Sequence, residues 1–327
     1  MTETGSLRVA ERADVIVREL RESDLPLADV ILRSAFDTFT GVASLFGDRD
    51  YVRTRWLADP GAAFAAERDG QLVGTNLITS WGSVGFFGPL SVRPELWDQG
   101  IASRLMEATV ALFDRWGTAH AGLFTFAHSA KHLGLYQKFG FWPRFLTPVM
   151  AKPAVAGQQS SWAIRYTELP PAERVRALDA CRELTATAYE GLDLEREIRA
   201  VESQNLGEVV LLDDSAGLAG MAVCHLGTGT EAGSRGCYVK FGLARPGPDA
   251  ERRFGALLDA CEALAVDHHA DHVELGMNTG RHEAYAAVMA RGYRAGLVGV
   301  SMHRANDEGY SRPRHLAHRR LALIPIT

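Results

Sequence analysis

Apolar and polar residues recur along this chain in blocks that predict an ordered series of strands and helices. Val15 to Leu20 is a short β-prone run. Ser23-Asp24 then reads as the cap of a helix with apolar residues at Leu25, Leu27, Val30, Ile31 and Phe36. Asp50 to Leu57 is a second helical stretch. Two extended runs, Ala62–Glu67 and Gln71–Leu77, flank Asp69-Gly70, the signature of a β-hairpin. The next β-prone block, Phe86 to Val92, breaks at Arg93-Pro94. A small-residue step follows, Gly100-Ile101-Ala102-Ser103, and then helical spacing of Leu105, Met106, Ala108, Leu112 and Phe113 as far as Trp116. Gly122–Ala127 reads as a strand, the stretch around Tyr136 as a helix, and Trp142–Met150 as a closing strand.

Beyond Lys152 the series begins again. Trp162–Leu169 parallels the first strand and, like it, ends in Glu-Leu. Val209–Leu212, Asp213-Asp214 and Leu218–Leu226 parallel the hairpin. Arg93-Pro94 matches Arg245-Pro246, Leu105 matches Leu257, Leu123 matches Leu275, and Gly140-Phe141 matches Gly292-Tyr293. Each pair is 152 positions apart (245 against 93, 292 against 140), an ungapped register that marks a tandem duplication. The division this implies is a flexible N-terminus at 1–13, a first domain at 14–152, a linker at 153–161 and a second domain at 162–327. Severed in the linker near Gly157, the first domain is expected to keep its own binding capacity.

A length of 327 residues suits two cores, and 46% hydrophobic with 23% charged residues is globular composition. The net charge of −5 argues against a nucleic-acid binder, which would show a basic face. Cys181, Cys224, Cys237 and Cys261 lack metal-knuckle spacing and read as reduced, buried thiols of a cytoplasmic protein. No apolar run is long enough to span a membrane. His268-His269-Ala270-Asp271-His272 has no matching ligand group elsewhere and lies at a helix end, where histidines suit the dipole, so no metal is expected. The basic run Arg312 to Arg320 reads either as a solvated segment before an edge strand, Leu321–Ile326, or as a contact for an acidic ligand or a neighbouring subunit.

A strand, a tight turn and a helix opening on small residues make a site for an anion, because the first amides of a helix lack partners. Val92-Arg93-Pro94, Gly100-Ile101-Ala102 and Leu105 together resemble the acetyl-CoA motif of the GNAT N-acetyltransferases. Leu135-Tyr136-Gln137-Lys138-Phe139-Gly140-Phe141 resembles that family's closing motif, in the right order. The resemblance implies an α/β (α+β) fold of two tandem GNAT-like domains, each a mixed, mostly antiparallel sheet flanked by helices. It also implies that Leu90, Ser91 and Val92 pair with the arm of acetyl-CoA through their backbone. Asp98, Gln99, Gly100, Ile101, Ala102 and Ser103 would cradle the pyrophosphate, and Ser129 would touch the cofactor. Trp97 departs from the pattern, standing where the family places arginine or glutamine and removing one phosphate contact.

Tyr136 resembles the family's general acid, and a thiolate of pKa about 8.5 leaves better with a hydroxyl to protonate it. A tyrosine at that spacing also suits a core. The acceptor amine needs a base, for which Glu95, His128 and His132 are candidates, with His128 favoured at the end of its strand. In the second repeat Gly100, Ala102 and Tyr136 fall on Arg252, Phe254 and Val288, which keep the pattern without the chemistry. The implied function is direct acetyl transfer from acetyl-CoA to a small-molecule or peptide amine in the first domain. A non-catalytic acyl-CoA-binding protein, and a peptide or aminoacyl transferase, are the alternatives. The second domain is expected to wall the acceptor cleft or form a homodimer surface.

Overall fold

The structure, a computed structural model, describes residues 15–155, 162–308 and 322–323. The N-terminal stretch, most of the linker and the basic run Arg312–Arg320 lie outside the described residues. The first half runs β1 (Ile16–Glu19), α1 (Leu25–Thr40), α2 (Val52–Ala58), β2 (Ala63–Arg68), β3 (Gln71–Trp81), β4 (Val84–Val92), α3 (Ile101–Trp116), β5 (His120–Phe126), α4 (Ala130–Gln137) and β6 (Phe141–Pro153). The second half repeats that order as β7 (Ala163–Arg165), α5 (Pro171–Ala186), α6 (Glu195–Gln204), β8 (Gly207–Asp214), β9 (Gly217–Gly227), β10 (Gly233–Ala244), α7 (Ala250–Asp267), β11 (His272–Gly276), α8 (His282–Ala290) and β12 (Arg294–Arg304). A short β13 (Ala322–Leu323) ends it. No described helix is long and apolar enough to cross a membrane.

Strand alternation sorts side chains into two layers on each half. On β2, Ala63 and Ala65 meet the core under α1 and α2, while Phe64 and Ala66 meet the core under α3 and α4. The second half repeats this, with Val209 and Leu211 under α5 and α6 and Val210 and Leu212 under α7. At the start of α1 the expected side-chain cap is not made. The Asp24 carboxylate turns back to accept from the Arg21 amide and from Arg18, so a three-residue 3-10 turn precedes the helix instead.

The two halves do not carry separate sheets. One sheet runs β1-β2-β3-β4-β5-β12-β6-β11-β10-β9-β8-β7, so the halves exchange their last strands. β12 pairs with β5, and β6 pairs with β11. The registers are the same under the repeat offset, and the β6–β12 seam places Thr147 opposite its own equivalent, Gly299. Gly299 is held to glycine by packing, since a Cβ there would stand 2.1 Å from the Phe124 ring. Each core takes side chains from the other half: Val300 and Met302 enter the first, Met150 the second. The linker therefore joins halves that complete one another, and β6 continues through Pro153 into the expected linker. Of the expected strand Leu321–Ile326 only Ala322–Leu323 is described, and it pairs with β10 alone, beside that strand's Gly242 and Leu243.

Buried charge also crosses between the halves. Arg55 on α2 donates from Nε and Nη2 to Glu231 at 2.9 Å each. Lys240 on β10 lies 2.8 Å from both Glu231 and Glu197. None of these side chains is more than 5% exposed. Burial works to raise both carboxylates, but the cations outweigh it: Lys240 and His225 hold Glu197 at about 2, and Arg55 and Lys240 hold Glu231 lower still. A depressed carboxylate pKa contributes stability above the unfolded value and loses it as pH falls through the folded one. Urea unfolding should therefore show stability falling as pH drops from about 4.5 toward 2. At pH 7, Glu231→Gln should cost about 3–5 kcal/mol, because Arg55 and Lys240 lose a buried counter-charge. A flat pH profile, or an unchanged midpoint in the variant, would contradict this account.

Candidate active site

β4 and β5 pair in parallel only where Val84–Phe87 faces His120–Leu123. Past Phe87 the two strands part, and a cavity of about 1030 Å³ opens there. Arg55 fixes the point of divergence by donating Nη1 to the Gly88 carbonyl at 2.5 Å. Leu90, Ser91 and Val92 pair with β3 on one side and line the cavity on the other.

α3 begins at the same cavity. Gly100 stands at its N-cap with φ 85°, a left-handed backbone that glycine adopts without a Cβ penalty. Arg104 donates back to the Gly100 carbonyl, so the amides of Ile101 to Ser103 precede the first intrahelical bond and have no partner within α3. They offer an anion unpaired donors at the positive end of a 16-residue helix. Of the predicted cradle, Asp98, Gly100, Ile101, Ala102 and Ser103 line the cavity. Gln99 does not; its side-chain oxygen accepts from Arg68 at the surface. Trp97 braces the cradle, its indole donating to the Val92 carbonyl at 2.8 Å. Lys131 sits over that indole, 5.2 Å from the ring centroid, and 2.8 Å from Asp98. This cation beside the free amides was not found from sequence, where it is one ordinary lysine opening a helix.

Tyr136 lies in the cavity wall and is 7% exposed. Burial pushes its phenol well above the ordinary tyrosine range, against a smaller pull from its hydrogen bond with Thr125, so it carries its proton. It also packs edge-on to Phe87, which makes it a core residue with a polar tip. His132, one helical turn before it, lines the cavity too. Its Nδ1 is buried without a hydrogen-bond partner among the described residues. Burial, followed by Lys131 and His128, lowers its pKa, leaving a neutral imidazole with a free lone pair. His128, favoured by its position in the sequence, is exposed and stacks on Phe39 outside the lining. Ser129 is spent on α4, its hydroxyl accepting from the His132 amide as N-cap, and does not line the cavity. Glu95 is at the surface beside Arg93.

The second half completes the cavity with Tyr238, Glu274 and the stretch Arg294–Leu297. None of these was singled out by sequence, although a glutamate inside the strand-like run His272–Gly276 was a usable signal. The second half's own counterpart is closed. Phe254 and Val288 are fully buried in its core. Asp249 stands at the N-cap of α7 with its carboxylate beside Arg252. β13 pairs with Gly242 and Leu243, the equivalents of Leu90 and Ser91. The four cysteines are free and buried. Among the described residues no group of histidine, cysteine, aspartate or glutamate side chains gathers as metal ligands.

Residues 30–141 match the family model described as acetyltransferase (GNAT) family. Among solved structures, a putative acetyltransferase from Pyrococcus horikoshii aligns with TM-score 0.66 at 14% identity, over 95% of this chain and 94% of that one. A GCN5-related N-acetyltransferase from Sphaerobacter thermophilus aligns with TM-score 0.59 at 17% identity, over 90% and 96%. A tandem GNAT protein from the clavulanic acid biosynthesis pathway aligns with TM-score 0.56 at 12% identity, over 90% and 99%. Identities this low establish the fold. No curated protein matches the chain significantly.

Proposed function

From the match of residues 30–141 to the acetyltransferase (GNAT) family model and a fold shared with a tandem GNAT protein over most of the chain, we propose that the first half moves acetyl from acetyl-CoA to an amine. The observation that carries this is one cradle of free amides open beside Tyr136, while the repeat's equivalent is filled by the chain itself. Acetyl-CoA, when bound, supplies a thioester activated toward amines. Leu90–Val92 would hold its arm through their backbone, and the amides from Asp98 to Ser103, with Lys131 at their side, its phosphates. His132 takes a proton from the acceptor ammonium, freeing its lone pair for attack on the acetyl carbonyl. Tyr136 gives its proton to the departing sulfur and recovers one from the acceptor nitrogen, which sheds its second proton as the amide forms. Direct transfer needs no nucleophilic side chain, and all four cysteines are buried away from the cavity.

Calorimetry with acetyl-CoA should find one site per chain, and Gly100→Arg should abolish it. The substitution forces a large side chain onto a backbone at φ 85° in the middle of the cradle. Two equivalent sites, or binding that survives in the variant, would overturn the assignment. A screen of amines reading released thiol and product mass tests the reaction. Binding without turnover on any amine would make the chain an acyl-CoA-binding protein.

A further inference from the structure

Outside the cradle, the cavity is lined by rings. Tyr51, Phe46, Phe36, Phe126 and Phe39 follow one another with centroids 5.2, 5.0, 6.1 and 5.1 Å apart. His132 continues the row 4.6 Å from Phe39. All six line the cavity, and all but Phe126 are only half-buried, so their faces are presented to it. They come from α1, the loop behind it, β5 and α4, four segments converging on one apolar wall.

The two arginines beside this wall are already matched. Arg55 is taken up by Glu231 and the Gly88 carbonyl. Arg49 is held by Glu274 through two bonds of 2.7 and 3.1 Å. Apart from Asp98 in the cradle, Glu274 is the carboxylate that lines the cavity among the described residues. A carboxylate has about four acceptor positions, so Glu274 can take a further donor without releasing Arg49. One acidic group suits one ammonium, whereas a polycation would bury charges that nothing here meets.

Building on the transferase reading, we propose that the acceptor is a monoamine carried on an aromatic or flat cyclic apolar body. Its rings stack on the Phe36–Phe39–Phe126 row. Glu274, contributed by the second half, positions its ammonium near His132, which makes Glu274 a positioning residue.

The test uses the full-length protein with acetyl-CoA and three acceptors: 2-phenylethylamine, glucosamine and spermidine. The expected kcat/KM for 2-phenylethylamine exceeds the other two by about tenfold or more. Phe39→Ala should lower it by about tenfold, and Glu274→Gln should raise its KM with kcat little changed, both with an unchanged Kd for acetyl-CoA. Preference for glucosamine or spermidine by the unaltered protein overturns the inference and leaves the transferase reading standing. So does a Phe39→Ala variant that binds acetyl-CoA and keeps its full aromatic rate. Failure of the unaltered protein to bind acetyl-CoA overturns both.

Discussion

Replacing Tyr136 by phenylalanine is expected to lower kcat roughly 10²-fold or more while leaving the Kd for acetyl-CoA nearly unchanged. The phenol is needed when negative charge develops on sulfur, an event of the transition state and not of the bound ground state. Burial keeps it protonated across the whole working range of pH, so it is always a donor there. Phenylalanine keeps the ring that packs on Phe87 and removes only the hydroxyl. Core packing alone would predict the reverse, a small change in stability and an intact rate. Steady-state kinetics with the identified acceptor, paired with calorimetry, separate the two. Unchanged kcat would return Tyr136 to a purely structural role.

The second large effect concerns the halves. Residues 1–157 expressed alone should fail to give a folded protein that binds acetyl-CoA. Without the second half, β5 loses β12 and β6 loses both its neighbours. Val300 and Met302 leave the first core, and burial of such side chains contributes about 1.5–3 kcal/mol each. Together that is about 3–6 kcal/mol, comparable to the low end of the stability of a small domain, about 5–15 kcal/mol. Proteolytic nicking of the intact chain in the linker should instead leave two fragments that co-elute and still bind acetyl-CoA. A soluble fragment with a cooperative melt and the parent's Kd would show that β6 can refold into the place of β12, and would overturn this expectation.

The repeat was legible because an ungapped 152-residue register needs no structure to be seen. So was the cradle, since Gly100 and Ala102 are small where Arg252 and Phe254 are not. The strand exchange was not. β6 and β12 occupy the same repeat position, and the β5–β12 register recurs in the β11–β6 pair. Hydrophobic alternation is blind to which copy supplies the partner. That is why the sequence led to the expectation that a first half cut at the linker would still bind its ligand, only acetylating poorly. Which histidine lines the cavity was hidden for a related reason. His128 and His132 lie four residues apart, and only the turn at the end of β5 decides which ring enters the cavity. Ser129 was read as a ligand, but its hydroxyl is committed to starting α4. Glu274 could not be linked to Tyr136 by spacing, because the sheet brings them together from opposite halves.

Thr147 faces its own repeat equivalent, Gly299, across the seam, so the molecule is built as a homodimer would be, with a twofold relation at its centre. Two separate identical chains arranged this way could not divide labour, since every substitution would appear at both sites at once. Tethering them in one chain lifts that constraint. One cleft then keeps its glycine and tyrosine while the other fills its own opening and lends Glu274 and Tyr238 to its neighbour. The two halves differ at matching positions because they do not mutate in step.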